Sequence, residues 1–252
     1  MRRLIMAKPT RREYQNQKGR KRRGGGLRTF FGVILILFAI ALLAMDPIKN
    51  YMIKRGQTQN AIGNITAEQI QKNKLADVSF DWDNIQTLNA YDVILQNVNP
   101  NDLPTIGAIA IPSVKMNLPI YKGTSEAGMY LGAGTLFEDQ EMGVSNYPLA
   151  SHHSIHEGLL FQPLMNVEYG ATVYLTDLEN IYEYEIDNIQ RVDPTALEVL
   201  NPTETPIITL ITCDYDLVER VIVQATMVKS VPINEATDDM LAAFELDLTV
   251  PE

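Results

Sequence analysis

The sequence predicts a mainly β fold, a barrel or a sandwich, tethered by one N-terminal membrane helix. Two observations carry the β assignment. From Ile106 onward short strand-like runs alternate with turn residues, and no long helical pattern interrupts them. About seven or eight such runs fall within about 130 residues, a length able to bury a single core. A third observation carries the tether: Phe30 to Met45 (FFGVILILFAIALLAM) runs sixteen residues without a charge.

That apolar run follows a basic leader. Residues 1–28 hold eleven Lys or Arg against one acid, Glu13, a balance of about +10. As a helix the run measures roughly 24 Å, and Thr29 with snorkelling Arg28 and Lys49 covers the remainder of a bilayer core of about 30 Å. A cleaved signal peptide is the alternative, with small residues at Ala39-Ile40-Ala41 and Ala44. The long leader, and the Asp46-Pro47 that follows without a clear processing site, favour an uncleaved anchor at 29–45. The positive-inside rule then puts residues 1–28 in the cytoplasm and everything after Met45 outside. The whole chain carries −10, so the exterior part is near −20 by this count, roughly. Such acidity argues against nucleic acid, because nothing downstream could release phosphate counterions. A solvated acidic surface is the simplest account of it.

Residues 46–103 read as an exterior stalk and docking segment. Ile62 to Ile70 suggests a short helix, with Thr66 and Gln69 spaced as a capping box. Phe80 and Trp82 are expected to dock this stalk on the body, which spans 104–231. Within the body, Ile106–Ile111 ends at Pro112, and Asn117–Tyr121 carries Pro119, which suits an edge or a strand end. Ala171–Leu175 and Ile181–Ile186 flank a turn at Thr176–Asn180, and the second run alternates apolar with acidic residues as a half-buried strand should. Ile207–Cys213 and Arg220–Ala225 complete the set. Residues 232–252 form an acidic tail with a short helix around Asp238 to Phe244, and no second hydrophobic span follows.

The chain has one cysteine, Cys213, at the end of a strand-like run, and Arg220 opens the next one. A lone thiol in an exported chain forms no internal disulfide; beside a guanidinium it is the start of a nucleophilic site. A proton partner is available only from Ser151-His152-His153-Ser154-Ile155-His156, which holds all three histidines. If Leu149 to His153 is extended, His152 and His153 face opposite ways, so only one can meet the thiol. A zinc site is disfavoured. His152 and His156 have i, i+4 spacing, but Glu157 lies outside the pair and Ser154-Ile155 do not suggest a helix. Beyond the anchor, on the exterior side, the arginines are Arg55, Arg191 and Arg220. A hairpin across Asp214–Glu219 would bring Arg220 to Cys213, where a guanidinium could hold an oxyanion; a surface ion pair with Glu219 or Asp216 is the alternative.

Thr209-Leu210-Ile211-Thr212-Cys213 resembles the sortase signature Thr-Leu-x-Thr-Cys, and Arg220 matches the arginine on the strand that follows it. Leu149-Ala150-Ser151-His152-His153 is similar to the histidine motif of streptococcal-type class A sortases. Leu131–Thr135 and Leu160–Leu164 also resemble segments of that class. The likeness covers roughly residues 104 to 230.

The resemblance implies a closed barrel of eight strands with short helices, and catalytic His152, Cys213 and Arg220. It implies a membrane-anchored transpeptidase at the Gram-positive cell surface that cleaves a Leu-Pro-x-Thr-Gly (LPXTG) sorting signal between Thr and Gly. The acyl group would pass to an amine on a cell-wall precursor such as lipid II. Substrate contacts are assigned to Ala150, Ser151, Thr212, Leu197 and Val199, the last two in a connection (Arg191–Pro206) that resembles the segment closing over the sorting signal. Core packing is the alternative for those two. Some class A members bind calcium; Glu138, Asp139 and Glu141 are available here, but a solvated acidic loop is the favoured reading and no cofactor is expected. The short Cys-to-Arg connection leaves little room for an inserted element, and no lid-like segment or second membrane span is expected, which speaks against the pilus-building class. Two other readings stand beside this one: a tethered wall-peptide-binding barrel with an inert cysteine, and an accessory sortase with a different motif.

Overall fold

The apolar run becomes part of one helix, α1 (Gly25–Gln59), in a computed structural model that describes residues 25–59, 61–80, 99–154, 156–214 and 218–245. Most of the basic leader, Trp82, Ile155, residues 215–217 and the end of the acidic tail lie outside the described residues. The chain divides into two compact units, residues 1–45 and 46–252. In the first, α1 is apolar and exposed all round, from Leu27 and Phe30 through Phe38 to Leu43. A helix of that kind and length suits lipid rather than water, and it is the one candidate membrane span among the described residues.

The helix does not stop where the polar stalk was expected to begin. It passes Pro47 and continues to Gln59, and within the second unit one face of its last turns, Lys49, Ile53 and Gly56, is buried. Ile53 packs with Tyr121, Tyr130, Leu131, Leu159 and Leu160. Lys49 is buried and pairs with Asp46 at 3.2 Å. The helical periodicity of this stretch is masked in the sequence by Asn50, Lys54, Arg55 and Gln57, which interleave with the apolar face.

The capping box forms as expected. The Thr66 side chain accepts from Gln69 N–H, Gln69 returns the bond to Thr66 N–H, and α2 (Ala67–Lys74) follows. Phe80 is half-buried. Ile62 and Ile70 pack with Ala108, Ala110 and Ile181 on the outer face of the sheet, where Met240 and Phe244 join them from the C-terminal helix. Asn73 donates to Thr105 O (2.8 Å), and Lys74 pairs with Asp177 at 3.1 Å.

Eight strands close a barrel in the order β1-β2-β3-β4-β7-β8-β6-β5. They are β1 (Thr105–Ile111), β2 (Met116–Tyr121), β3 (Ala133–Thr135), β4 (Asn146–Ala150), β5 (Thr172–Thr176), β6 (Asn180–Val192), β7 (Ile207–Cys213) and β8 (Arg220–Pro232). The closed barrel therefore wins over the sandwich, and closure removes every sheet edge. Pro119 does not sit on an edge strand: β2 lies between β1 and β3. It is tolerated because β3 pairs only with Ile120 and Tyr121, so no ladder bond is asked of it on that side. Short α3 (Glu126–Leu131) starts at Ser125, whose side chain accepts from Gly128 N–H, and α4 (Asp238–Ala243) starts at Thr237. The interior is apolar, with Ile109, Ile111, Leu118, Leu149, Phe161, Leu175, Ile208, Leu210 and Val223 at its centre.

Candidate active site

Two pairings bring the chemical residues to one end of the barrel. β4 and β7 run parallel with Ala150 opposite Ile211, and Ser151 N–H donates to Ile211 O at 3.2 Å. In a parallel pair equal offsets travel together, so His152 and Cys213, each two residues beyond that match, leave the sheet at the same end. β7 and β8 are antiparallel with Cys213 directly opposite Arg220. Directly opposed residues share a face, so thiol and guanidinium project from the same side of the sheet. Cys213 is a free, half-buried thiol.

His152 is held by packing rather than by a strand. Its ring stacks on Tyr130 with centroids 5.1 Å apart and planes 23° apart, and its carbonyl accepts from Phe161 N–H at 3.3 Å. Tyr130 is itself fixed by donating its hydroxyl to Glu126 at 2.9 Å, an i, i+4 bond along α3. The imidazole is 4% exposed, and its Nε2 makes no hydrogen bond to the described residues. Burial pushes its pKa down to about 4; the Glu126 charge opposes this in part. Next to it, His153 bridges Leu160, and burial lowers its pKa against the pull of Asp214.

Asp214 follows Cys213 and is paired with Arg191 of β6. Its N–H donates to Glu219 O at 3.0 Å, which closes the described ends of the connection from β7 to β8. From the sequence Arg191 is one of three arginines beyond the anchor and the start of the 191–206 connection; no local pattern points to this pair. Neither Tyr130 nor Glu126 is among the expected site residues, though the two carry a usable signal, a Ser125 cap followed by residues at i, i+4 spacing.

The remaining assigned residues divide. Ala150 belongs to a small apolar cluster on the outer face with Met129, Leu136, Ile211 and Leu200, which gives a floor beside Cys213 and a wall from the β6–β7 connection. Val199 lies half-buried in that wall, and Leu197 is 50% exposed at its tip. Ser151 donates its hydroxyl to Gly132 O at 2.7 Å and so ties β4 to the end of α3. Thr212 is buried, with its hydroxyl making no hydrogen bond to the described residues. Glu138, Asp139 and Glu141 line a polar cleft of about 430 Å³ with Lys74, Lys122, Asp177 and Glu179. Among the described residues no three His, Cys, Asp or Glu side chains are arranged to hold a metal ion.

Comparison with known proteins agrees with this architecture. Residues 109–228 match the family model described as "Sortase domain". The chain is 39% identical over 188 residues to Sortase A of Listeria monocytogenes, covering 75% of this chain and 85% of that protein. It is 36% identical over 225 residues to Sortase A of Streptococcus agalactiae, covering 86% and 91%. The solved structure of the Listeria monocytogenes sortase A superposes with a TM-score of 0.52 at 40% identity, over 56% of this chain and 96% of that one. Sortase C-3 of Streptococcus pneumoniae has the same fold, with a TM-score of 0.55 at 19% identity over 76% and 96% of the two chains. A barrel that presents a cysteine opposite an arginine, matched along its length by these proteins, identifies the chain as a member of the sortase family of cysteine transpeptidases.

Proposed function

We propose that this chain is a membrane-anchored class A sortase that joins secreted proteins bearing a Leu-Pro-x-Thr-Gly signal to a cell-wall precursor amine. The observation that carries the reading is register: Cys213 lies directly opposite Arg220, and β4, paired parallel with β7, runs out toward His152 at the same barrel end. In the first half-reaction Cys213 Sγ attacks the threonine carbonyl carbon. Arg220 balances the charge that develops on the carbonyl oxygen, the carbon–nitrogen bond to glycine breaks, and imidazolium His152 protonates the departing amine. In the second, an incoming amine attacks the thioester and gives its proton to His152, and the sulfur–carbon bond breaks.

The burial of His152 gives this scheme a consequence. A histidine of pKa about 4 is charged in only about one molecule in a thousand at neutral pH, so the thiolate–imidazolium form is a small minority. Catalysis then draws on a rare protonation state, and a higher imidazole pKa enlarges that population.

The layout follows the same reading. Residues 29–45 anchor the chain, 1–28 lie in the cytoplasm, 46–103 lead to the catalytic body at 104–231, and 232–252 are an acidic C-terminal segment whose Met240 and Phe244 pack on the body. The site would stand at the outer membrane face, where translocating substrates and lipid-linked precursor meet. No step above needs a metal, and the acids at 138–141 are assigned to a solvated surface.

The test is ligation. The protein in detergent is incubated with a Leu-Pro-x-Thr-Gly peptide and an excess of amine, with and without EDTA, and the products are read by mass spectrometry. A Thr–amine product that persists in EDTA supports the reading. Cleavage without ligation would replace it with a hydrolase, and peptide binding without turnover would replace it with a tethered binding barrel.

A further inference from the structure

The β6–β7 connection, which forms one wall beside Cys213, is fastened to the barrel by polar groups that take no part in the chemistry above. Asn146, the first residue of β4, is 8% exposed. Its Nδ2 donates to two carbonyls of the connection, Val199 O at 2.9 Å and Asn201 O at 3.1 Å. The preceding residue adds a third fastening: Ser145 Oγ accepts from Thr203 N–H at 3.0 Å. Three bonds within five residues of the connection thus end on two adjacent residues of the barrel.

Behind Asn146 a row of side chains crosses the sheet. Thr209, 0% exposed, donates its hydroxyl to Asn146 Oδ1 at 2.7 Å and accepts from Gln224 Nε2 at 3.1 Å. Gln224 Oε1 accepts from Asn188 Nδ2 at 2.8 Å. Thr209 is directly opposite Gln224, and Gln224 directly opposite Asn188, so register alone lines up β7, β8 and β6. Asn146 has both of its Nδ2 protons and its Oδ1 engaged. A polar group buried with its partners satisfied fixes one geometry, because breaking any bond strands the others.

We infer that Asn146 and Ser145 are positioning residues that hold the β6–β7 connection as a ready-made wall for the substrate. Leu200, carried by that wall, packs with Ala150 and Ile211 on the floor. Binding then does not have to order the connection, and the conformational cost that a loose wall would add to KM is absent. This inference deepens the proposed function and rests on it for the identity of the peptide.

The test separates binding from chemistry. Asn146→Asp keeps the acceptor for Thr209 but removes both donors to the wall, and Ser145→Gly deletes one hydroxyl. Ser145 sits at φ 51°, a conformation that glycine adopts without strain. Asn146→Asp is expected to raise KM for the sorting peptide about ten-fold, with kcat within about two-fold, on the loss of two buried hydrogen bonds. Ser145→Gly should raise it about three-fold. Alkylation of Cys213 by iodoacetamide should run at the same rate in all three proteins, since that reagent needs no wall. Amide exchange at Asn201 and Thr203 should quicken in both variants, while the β7–β8 ladder stays protected. Unchanged KM and unchanged exchange in Ser145→Gly would overturn the inference, even if Asn146→Asp failed to fold. A fall in kcat at constant KM would overturn it by placing these residues in the chemistry. If the wild-type protein turned over no peptide, the function would fail, while the exchange experiment would still decide whether the wall is fastened as described.

Discussion

The two halves of the candidate active site are built by different means. Cys213 and Arg220 are delivered by β-sheet register: they are directly opposed on β7 and β8, and each is the terminal residue of its strand. His152 lies past the end of β4 and is held by a stacked Tyr130, by burial and by one backbone bond from Phe161. Register is shared by many ladder bonds, so a single side-chain change does not move it. Packing in a loop is local, and one substitution can shift both the position and the pKa of the group. The thiol side should therefore respond to mutation in an all-or-none way, and the imidazole side in a graded, pH-dependent way.

The sharpest break in this contrast comes from Cys213→Ala. It should abolish ligation completely while leaving the circular dichroism spectrum and Tm close to wild type, because the ladder that carries it is untouched. Arg220→Lys should come next, with kcat/KM down by roughly a hundred-fold, since an ammonium cannot reproduce the planar guanidinium opposite the thiol. Near-normal turnover of that variant would remove Arg220 from the oxyanion role.

Glu126→Gln tests the packed half. Its charge raises the pKa of His152, so neutralising it should lower that pKa further. The rare imidazolium becomes rarer, kcat/KM at neutral pH should fall several-fold, and the acid limb of the pH–rate profile should move to lower pH. An unchanged limb would show that the carboxylate does not act on the imidazole. A further effect concerns folding. His152 drops from an ordinary 6.5 to about 4 on folding, so the unfolded chain binds the proton more readily. The resulting stability is complete above about pH 6.5 and is lost progressively as pH falls toward 4, by up to about 3 kcal/mol. His152→Gln should flatten that part of the stability–pH curve in denaturant titrations.

What the sequence made legible follows the same division. Ile207–Cys213 was delimited to the residue, and the start of β8 at Arg220 was also read correctly, because apolar runs bounded by acidic turn residues report strands directly. The Thr66 cap and the short helix from Asp238 were read from local chemistry in the same way. β6 and β8 extend well beyond the runs first seen, to Val192 and Pro232, since their outer ends face solvent and lose the apolar signal. β3, at three residues, is too short to show a period. The stack of Tyr130 on His152 and the row from Asn146 to Asn188 join residues far apart in the chain, and no local pattern encodes such contacts. Alternation left His152 and His153 equivalent; the structure places only His152 against Tyr130 and gives His153 a bridge to Leu160. The continuation of α1 past Pro47 was hidden by polar residues interleaved with its buried face.

The central claim is that Cys213 carries the acyl group. The most direct measurement is to mix the protein with a Leu-Pro-x-Thr-Gly peptide without an amine, quench in acid within the first turnover, and map the adduct by mass spectrometry. The account predicts an acyl group ending at threonine on Cys213, which disappears when an amine is added and never forms in Cys213→Ala. A peptide cleaved between Thr and Gly by the wild type and by Cys213→Ala alike, with no adduct on Cys213, would contradict it.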